Sequence, residues 1–195
     1  MPNWCNNVIK ISGEKEKLKK FIEKCGLDKE HPEFDFDAII RVPQELEISV
    51  SPITVVETEE EAKQINIESH RNKFIPANIL AISKKEEKRR LQKYGAIDWY
   101  DFCVNAWGVK WPPVNVVVHE KSIDNDIAYI IISFDTPWGP AEPIAKKLEK
   151  EGFEISGAYV EEGCGVKGYY LDNKGGFGIE ECEEEDGYTT HNITW

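Results

Sequence analysis

The order of patterned segments along this 195-residue chain predicts an α+β protein. Three observations carry that prediction. Stretches patterned for strand or helix follow one another as strand, helix, long insertion, strand, strand, helix, strand; both helical stretches of the series are apolar on one side only; and glycine, proline or Asp/Asn clusters stand at the joints. Two β-α-β units split in this way make a ferredoxin-like antiparallel sheet with both helices on one face. The other face then needs a cover, from the insertion or from the C-terminal segment.

Val8 to Ile11 forms the first strand-like run, and Gly13 closes it. A helix follows from about Glu14 to Cys25, where Leu18, Phe21, Ile22 and Cys25 keep the i, i+3, i+4, i+7 spacing, and Gly26 ends it. Val114 to His119 and Ala128 to Phe134 are β-branched runs joined through Asp124-Asn125-Asp126, a hairpin composition. Pro143 suits the first turn of a second helix with Ile144, Ala145 and Leu148 facing inward, Gly152 stops it, and Phe153 to Glu161 alternates as a strand.

The insertion opens with Phe34 to Pro43, a loop or strand, and continues into mainly helical sequence: Glu59 to Ser69, then Phe74 to Tyr94 with Ile75, Ile79 and Ile82 on one side. Asp98 is placed to cap a third helix whose Trp99, Phe102, Cys103 and Ala106 form a stripe, which assigns Trp99 to a core. Beyond Glu162, Val166 to Asp172 and Gly178 to Glu181 read as strands around the turn Asp172-Asn173-Lys174-Gly175-Gly176, extending the sheet. Residues 1–195 thus read as a single domain, with a core from 1–26 and 112–162, a mainly helical insertion over 27–111, and an acidic β extension over 163–195.

Composition narrows the function classes. No apolar run approaches the roughly 20 residues of a membrane helix, and the opening Met1-Pro2-Asn3-Trp4-Cys5-Asn6-Asn7 lacks the basic flank and apolar stretch of a secretory signal. Five scattered cysteines with no C-x-x-C pair fit free thiols, so the expectation is a cytoplasmic protein without structural metal. Of the net charge of −12, most lies in residues 151–195, where 11 acidic side chains face Lys167 and Lys174. Non-specific binding to nucleic acid is disfavoured, because it depends on Lys and Arg displacing counterions. The one basic run, Lys84 to Arg90, is interleaved with Glu86 and Glu87 and reads as a solvated helix face.

Motifs with chemical meaning are few. Gly163-Cys164-Gly165-Val166-Lys167-Gly168 fits G-x-G-x-x-G, but strand-like Tyr169-Tyr170-Leu171 follows where a phosphate-binding loop needs a helix, so the glycines mark a hairpin or bulge. The four histidines show no ligand spacing, and Cys103, a nucleophile only if His119 met it, sits on an apolar stripe. No catalytic residue, metal or cofactor is assigned.

Two tryptophan-glycine loops are the best candidates: Asn105 to Pro113, with Trp107, Lys110 and Trp111, and Phe134 to Pro140, with Asp135 and Trp138. The predicted topology puts both at one end of the hairpin. Trp107, Trp111 and Trp138 would supply flat walls there, and Lys110 and Asp135 a cation and a carboxylate, for a protein partner, engaged there or by the acidic C-terminal face, or alternatively for a small ligand or nucleotide, as a binder or an enzyme. The alternative is a core plug with a surface Lys110–Asp135 pair.

Met1 to Cys5 with Asn7, Asp98-Trp99-Tyr100 through Trp111, and Phe134 to Trp138 together resemble the YubB or Api-type family of phage- and plasmid-encoded proteins. Members commonly carry Thr and Ala where this chain has Val109 and Pro137. The resemblance implies a ferredoxin-like core and a mobile-element accessory role, by analogy binding a host or phage protein; it implies no reaction and no cofactor.

Overall fold

A computed structural model of the protein describes residues 3–47, 51–71, 80–124, 127–171, 176–183 and 189–195. In chain order the elements are β1 (Trp4–Glu14), α1 (Lys15–Cys25), α2 (Phe36–Ile39), α3 (Gln44–Glu47), β2 (Thr54–Val56), α4 (Glu59–Arg71), β3 (Ala81–Ser83), α5 (Lys84–Tyr94) and α6 (Trp99–Trp107). Then come β4 (Val114–Ser122), β5 (Ile127–Pro137), α7 (Glu142–Lys150), β6 (Glu154–Glu161), β7 (Val166–Tyr170), β8 (Gly178–Glu183) and β9 (Thr189–Thr194). They fall into two compact units, Met1–Arg41 with Trp107–Trp195, and Val42–Ala106.

The first unit holds a five-stranded sheet of order β4-β5-β1-β6-β7, antiparallel throughout. Its first four strands reproduce the ferredoxin-like order, and β7 is added at the outer edge. β1 is longer than the apolar run Val8 to Ile11: it starts at Trp4, because Cys5, Asn6 and Asn7 keep full register with both β5 and β6. Helix α1 is capped by Glu14, whose carboxylate accepts from the backbone N–H groups of Glu16 and Lys17, both at 2.9 Å. Those two bonds hold the Glu14 carboxyl below the usual glutamate range. Gly26, at φ 74, closes the helix in the left-handed conformation.

One face of the sheet carries Ile9, Ile11, Ile130, Ile132 and Phe134, buried with Leu18, Phe21 and Ile22 of α1 and Ile144 and Leu148 of α7. The stretch beginning at Phe34, expected as loop or strand, instead forms the short helix α2. Asp35 caps it by accepting from the Asp37 N–H at 2.9 Å, which lets Phe34 and Phe36 both turn inward. Their rings meet edge to face with centroids 5.1 Å apart, and Phe34 meets Phe134 at the same distance.

The C-terminal segment covers the opposite face, though not by widening the sheet as expected. Only β7 joins it; β8 pairs with β9 as a separate ribbon. Phe177, with Ile179 and Ile193 from the ribbon, packs on Val8, Ile131 and Ala158. The polar pattern of Thr189 to Thr194 hides β9 as a strand, since only Ile193 reaches that cluster. The predicted turns at Asn125-Asp126 and 172–175 lie outside the described residues, as do residues 184–188, which include the end of the acidic run.

In the second unit β2 and β3 pair in parallel. The helix expected over Phe74 to Tyr94 is corrected in its described part: Ala81, Ile82 and Ser83 form the buried strand β3, and α5 starts only at Lys84. Ser83 makes the break, its hydroxyl accepting from the Glu86 N–H at 3.2 Å as an N-cap; Ile75 and Ile79 lie outside the described residues. The basic run is engaged in ion pairs: Lys84 with Glu57, Lys85 with Glu59, and Arg89 with Glu86 and Glu45. Asp98 caps α6 as its position requires, accepting from the Asp101 N–H at 2.9 Å.

Candidate functional site

The two tryptophan loops meet through a glycine. Gly108 has φ 84, and a Cβ there would lie 2.8 Å from Cδ of Pro143 and 3.0 Å from the Pro140 carbonyl oxygen. Only glycine lets the first loop rest against the chain that follows Trp138.

Trp107 goes inward. It is 3% exposed, its indole N–H donates to the Ile40 carbonyl at 2.8 Å, and its ring meets Phe36 edge to face at 5.9 Å. Of the five sequence candidates, the structure separates this one from the solvent-facing group.

Lys110, Trp111 and Trp138 do come together. The Lys110 ammonium sits 3.7 Å from the centroid of the Trp111 ring and 3.9 Å from that of Trp138, so the cation lies against two indoles at once. Trp138 is 50% exposed and has φ 66, a conformation that costs a bulky residue energy. Its backbone N–H donates to the Asn3 carbonyl at 2.9 Å, which fixes the turn against the start of β1.

Asp135 belongs to adjoining surface. Its two carboxylate oxygens accept from the side-chain amides of Asn6, at 3.1 Å, and Asn115, at 2.8 Å. Among the described residues it forms no ion pair with Lys110. Asn115 reaches it because β4 bulges between Val114 and Val117, with Asn115 at φ 52.

A buried polar network forms the floor under the second loop. Asn7, fully buried, donates through its amide to the Thr136 hydroxyl at 2.8 Å and to the carbonyls of Cys5 and Phe134. Thr136 donates onward to the Gly139 carbonyl at 2.7 Å. The Tyr170 hydroxyl donates to Oδ1 of Asn7 at 2.7 Å and accepts from the Ala141 N–H at 3.0 Å. Strands β1, β5 and β7 are thereby tied to the loop, and such a satisfied network is rigid. Burial holds the Tyr170 hydroxyl well above its ordinary pKa and pushes the Cys5 thiol up to about 12, helped by the charge of Glu161.

Beside this floor a cleft of about 320 Å³ opens between Trp4, Asn6, Asp135, Glu162 and His191. Trp4 is 41% exposed, and Nδ1 of His191 is buried without a hydrogen-bond partner among the described residues. The Glu161 carboxylate accepts from the N–H groups of Gly163 and Cys164 at 2.8 and 2.9 Å, which makes the first glycines of G-x-G-x-x-G a turn into β7. Cys103 is buried on α6, and His119 Nε2 lies 2.7 Å from the Ser133 hydroxyl. No group of three or more His, Cys, Asp or Glu arranged for a metal occurs among the described residues.

Reasoning from sequence missed Trp4, Asn6, Asn115, His191 and the Asn7–Thr136–Tyr170 floor. Asn7 did carry a usable signal: it is a polar residue at a core-facing position one step before Val8.

The strand order and this aromatic end of the sheet define a ferredoxin-like α+β protein with an inserted unit and a C-terminal ribbon. No family model matches the chain, and no curated protein does. Among solved structures it is similar to the protein api92 of Yersinia pseudotuberculosis, of the family model DUF1281, with 12% identity, 100% of this chain and 99% of that one covered, and a TM-score of 0.47. The fold assignment rests on the strand order β4-β5-β1-β6. No helix among the described residues is long and apolar enough to cross a membrane.

Proposed function

We propose that this is a non-catalytic protein-binding module that engages a partner through the Trp-lined end of the sheet. The observation that carries the reading is Trp138: a large aromatic ring held half exposed, in a costly backbone conformation, on a fully hydrogen-bonded floor. Rigid exposed tryptophans are the side chains on which protein interfaces concentrate their binding energy. Trp111 and Trp4 supply further ring surface nearby, and the acidic chain favours a basic partner approached at a salt-dependent rate. The scattered cysteines, with no C-x-x-C pair, suit the reducing cytoplasm. The likeness of its Trp motifs to YubB and Api-type proteins supports a mobile-element accessory role with a host or phage partner.

The test is a matched pair of baits. Wild-type protein should retain a bacterial protein at low salt and release it as salt rises, and Trp138→Ala should retain it at least tenfold less. Equal recovery by both baits sinks the reading. A second reading, a small-ligand or nucleotide binder, has the cleft beside Trp4 in its favour, which is just large enough for a small molecule. Its carboxylates favour an amine over a phosphate. A thermal-shift panel of amines and nucleotides decides it, since a reproducible shift by any of them, lost in Trp4→Ala, would displace the first reading.

A further inference from the structure

Among the described residues, Lys10, Lys17 and Lys93 each lie over one aromatic ring, whereas Lys110 lies over two. The two indoles come from different loops, 27 positions apart in the sequence, and are brought together by the Gly108–Pro140 contact. A slot of that kind selects for positive charge, because each ring face presents the negative lobe of its quadrupole. One wall, Trp138, is half open to solvent. The other wall, Trp111, and the lysine itself are only partly buried. Among the described residues no carboxylate lies within ion-pair distance of the ammonium, so the rings are what hold it.

We infer that the Trp111–Trp138 pair is a receptor slot for a lysine or arginine side chain of the partner, and that Lys110 is its resident plug. Lys110 shows which chemistry the slot accepts. An arginine or lysine from a basic segment takes the same position while the flexible Lys110 stem swings into water, where its ammonium recovers full hydration. The exchange conserves the cation–π contact, so the resident lysine sets a threshold: weakly basic segments fail to displace it, and only a segment with further contacts to the acidic surface does. The inference rests on the protein-binding reading and specifies the side chain that reading leaves open.

The experiment uses the full chain and a fluorescein-labelled peptide of alternating arginine and glycine, with binding read by anisotropy and tryptophan quenching. Removing the plug should strengthen binding, the opposite of what loss of an ordinary contact residue does. Lys110→Met should bind the peptide about fivefold more tightly than wild type, Lys110→Arg should stay at the wild-type value, and Trp138→Ala added to Lys110→Met should erase the gain. Lys19→Met, on the solvent side of α1, removes the same charge elsewhere; a gain there equal to that of Lys110→Met would reduce the effect to net charge and overturn the inference. Peptide bound equally by wild type and Lys110→Met, but lost in Trp138→Ala, would overturn the plug and leave the binding surface standing. Peptide bound by none of the folded variants at low salt would overturn both. Circular dichroism and melting temperature of each variant establish folding before binding is read.

Discussion

Trp107 and Trp138 each precede a glycine and lie at the same end of one sheet, yet one is 3% exposed and the other 50%. Their own chemistry does not differ; their neighbours do. Trp107 ends a helix and finds a backbone carbonyl for its indole N–H, so burial leaves no polar group unpaired. Trp138 sits at positive φ with its backbone tied to Asn3, and its ring finds the Lys110 ammonium instead of a core. Tryptophan beside glycine therefore marks a turn. Which side of the surface the ring takes is decided by distant groups.

The largest effect should come from the buried ring. Trp107→Ala removes a core side chain and orphans the Ile40 carbonyl, a loss of about 3–5 kcal/mol that urea unfolding should register as near-complete loss of the first unit's fold. A stable Trp107→Ala protein would break the contrast at its root. Tyr170→Phe comes next, at about 1–3 kcal/mol, because it leaves the Ala141 N–H and Oδ1 of Asn7 without their partner in a buried place. The same variant should loosen the exposed ring above it, seen as lowered fluorescence anisotropy of the tryptophans. Trp138→Ala should change stability by no more than about 1 kcal/mol, and Trp138→Gly should be more stable than Trp138→Ala by roughly 0.5–1 kcal/mol, since glycine accepts φ 66 without strain. The reverse order would show that φ 66 carries no strain at this position.

The smallest effect is silent at neutral pH. Burial pushes both Cys5 and Cys25 up to about 12 from an ordinary 9.0, so between about pH 9 and 12 the unfolded chain ionises thiols that the folded protein keeps protonated. Stability from this source is constant below pH 9 and lost as pH rises through that window. Melting temperatures from pH 8 to 11 check the sign. Iodoacetamide at pH 8 should label exposed Cys164 first and reach Cys5 and Cys25 only on unfolding.

The elements legible in the sequence are those whose apolar spacing is local. Leu18, Phe21, Ile22 and Cys25 define α1 within eight residues, and Ile144, Ala145 and Leu148 do the same for α7. The hairpin and β6 announce themselves by alternation, and the sheet order follows from chain order. What was illegible depends on partners far along the chain. The first residues of β1 carry Cys5, Asn6 and Asn7, which look like loop until Asn7 meets a tyrosine hydroxyl 163 residues away. Strand β3 hid inside a helix-like stretch because the partner strand that selects it, Thr54–Val56, lies some 27 residues earlier. The meeting of Lys110, Trp111 and Trp138 was readable from topology, since both loops adjoin paired strands. The inward turn of Trp107 was not, for its acceptor is a main-chain carbonyl that no side-chain pattern reveals.

That same hydrogen bond has a consequence for how the protein tolerates change. Ile40 and Trp107 bracket the Val42–Ala106 unit, and the indole N–H pins the outgoing chain to the returning one at 2.8 Å. A segment whose entry and exit are held side by side behaves as an exchangeable cassette: the sheet needs only that its two ends be bridged. Replacing the cassette by a short glycine-serine link should leave a protein of about 130 residues that still folds, and a different cassette can be spliced at the same two points.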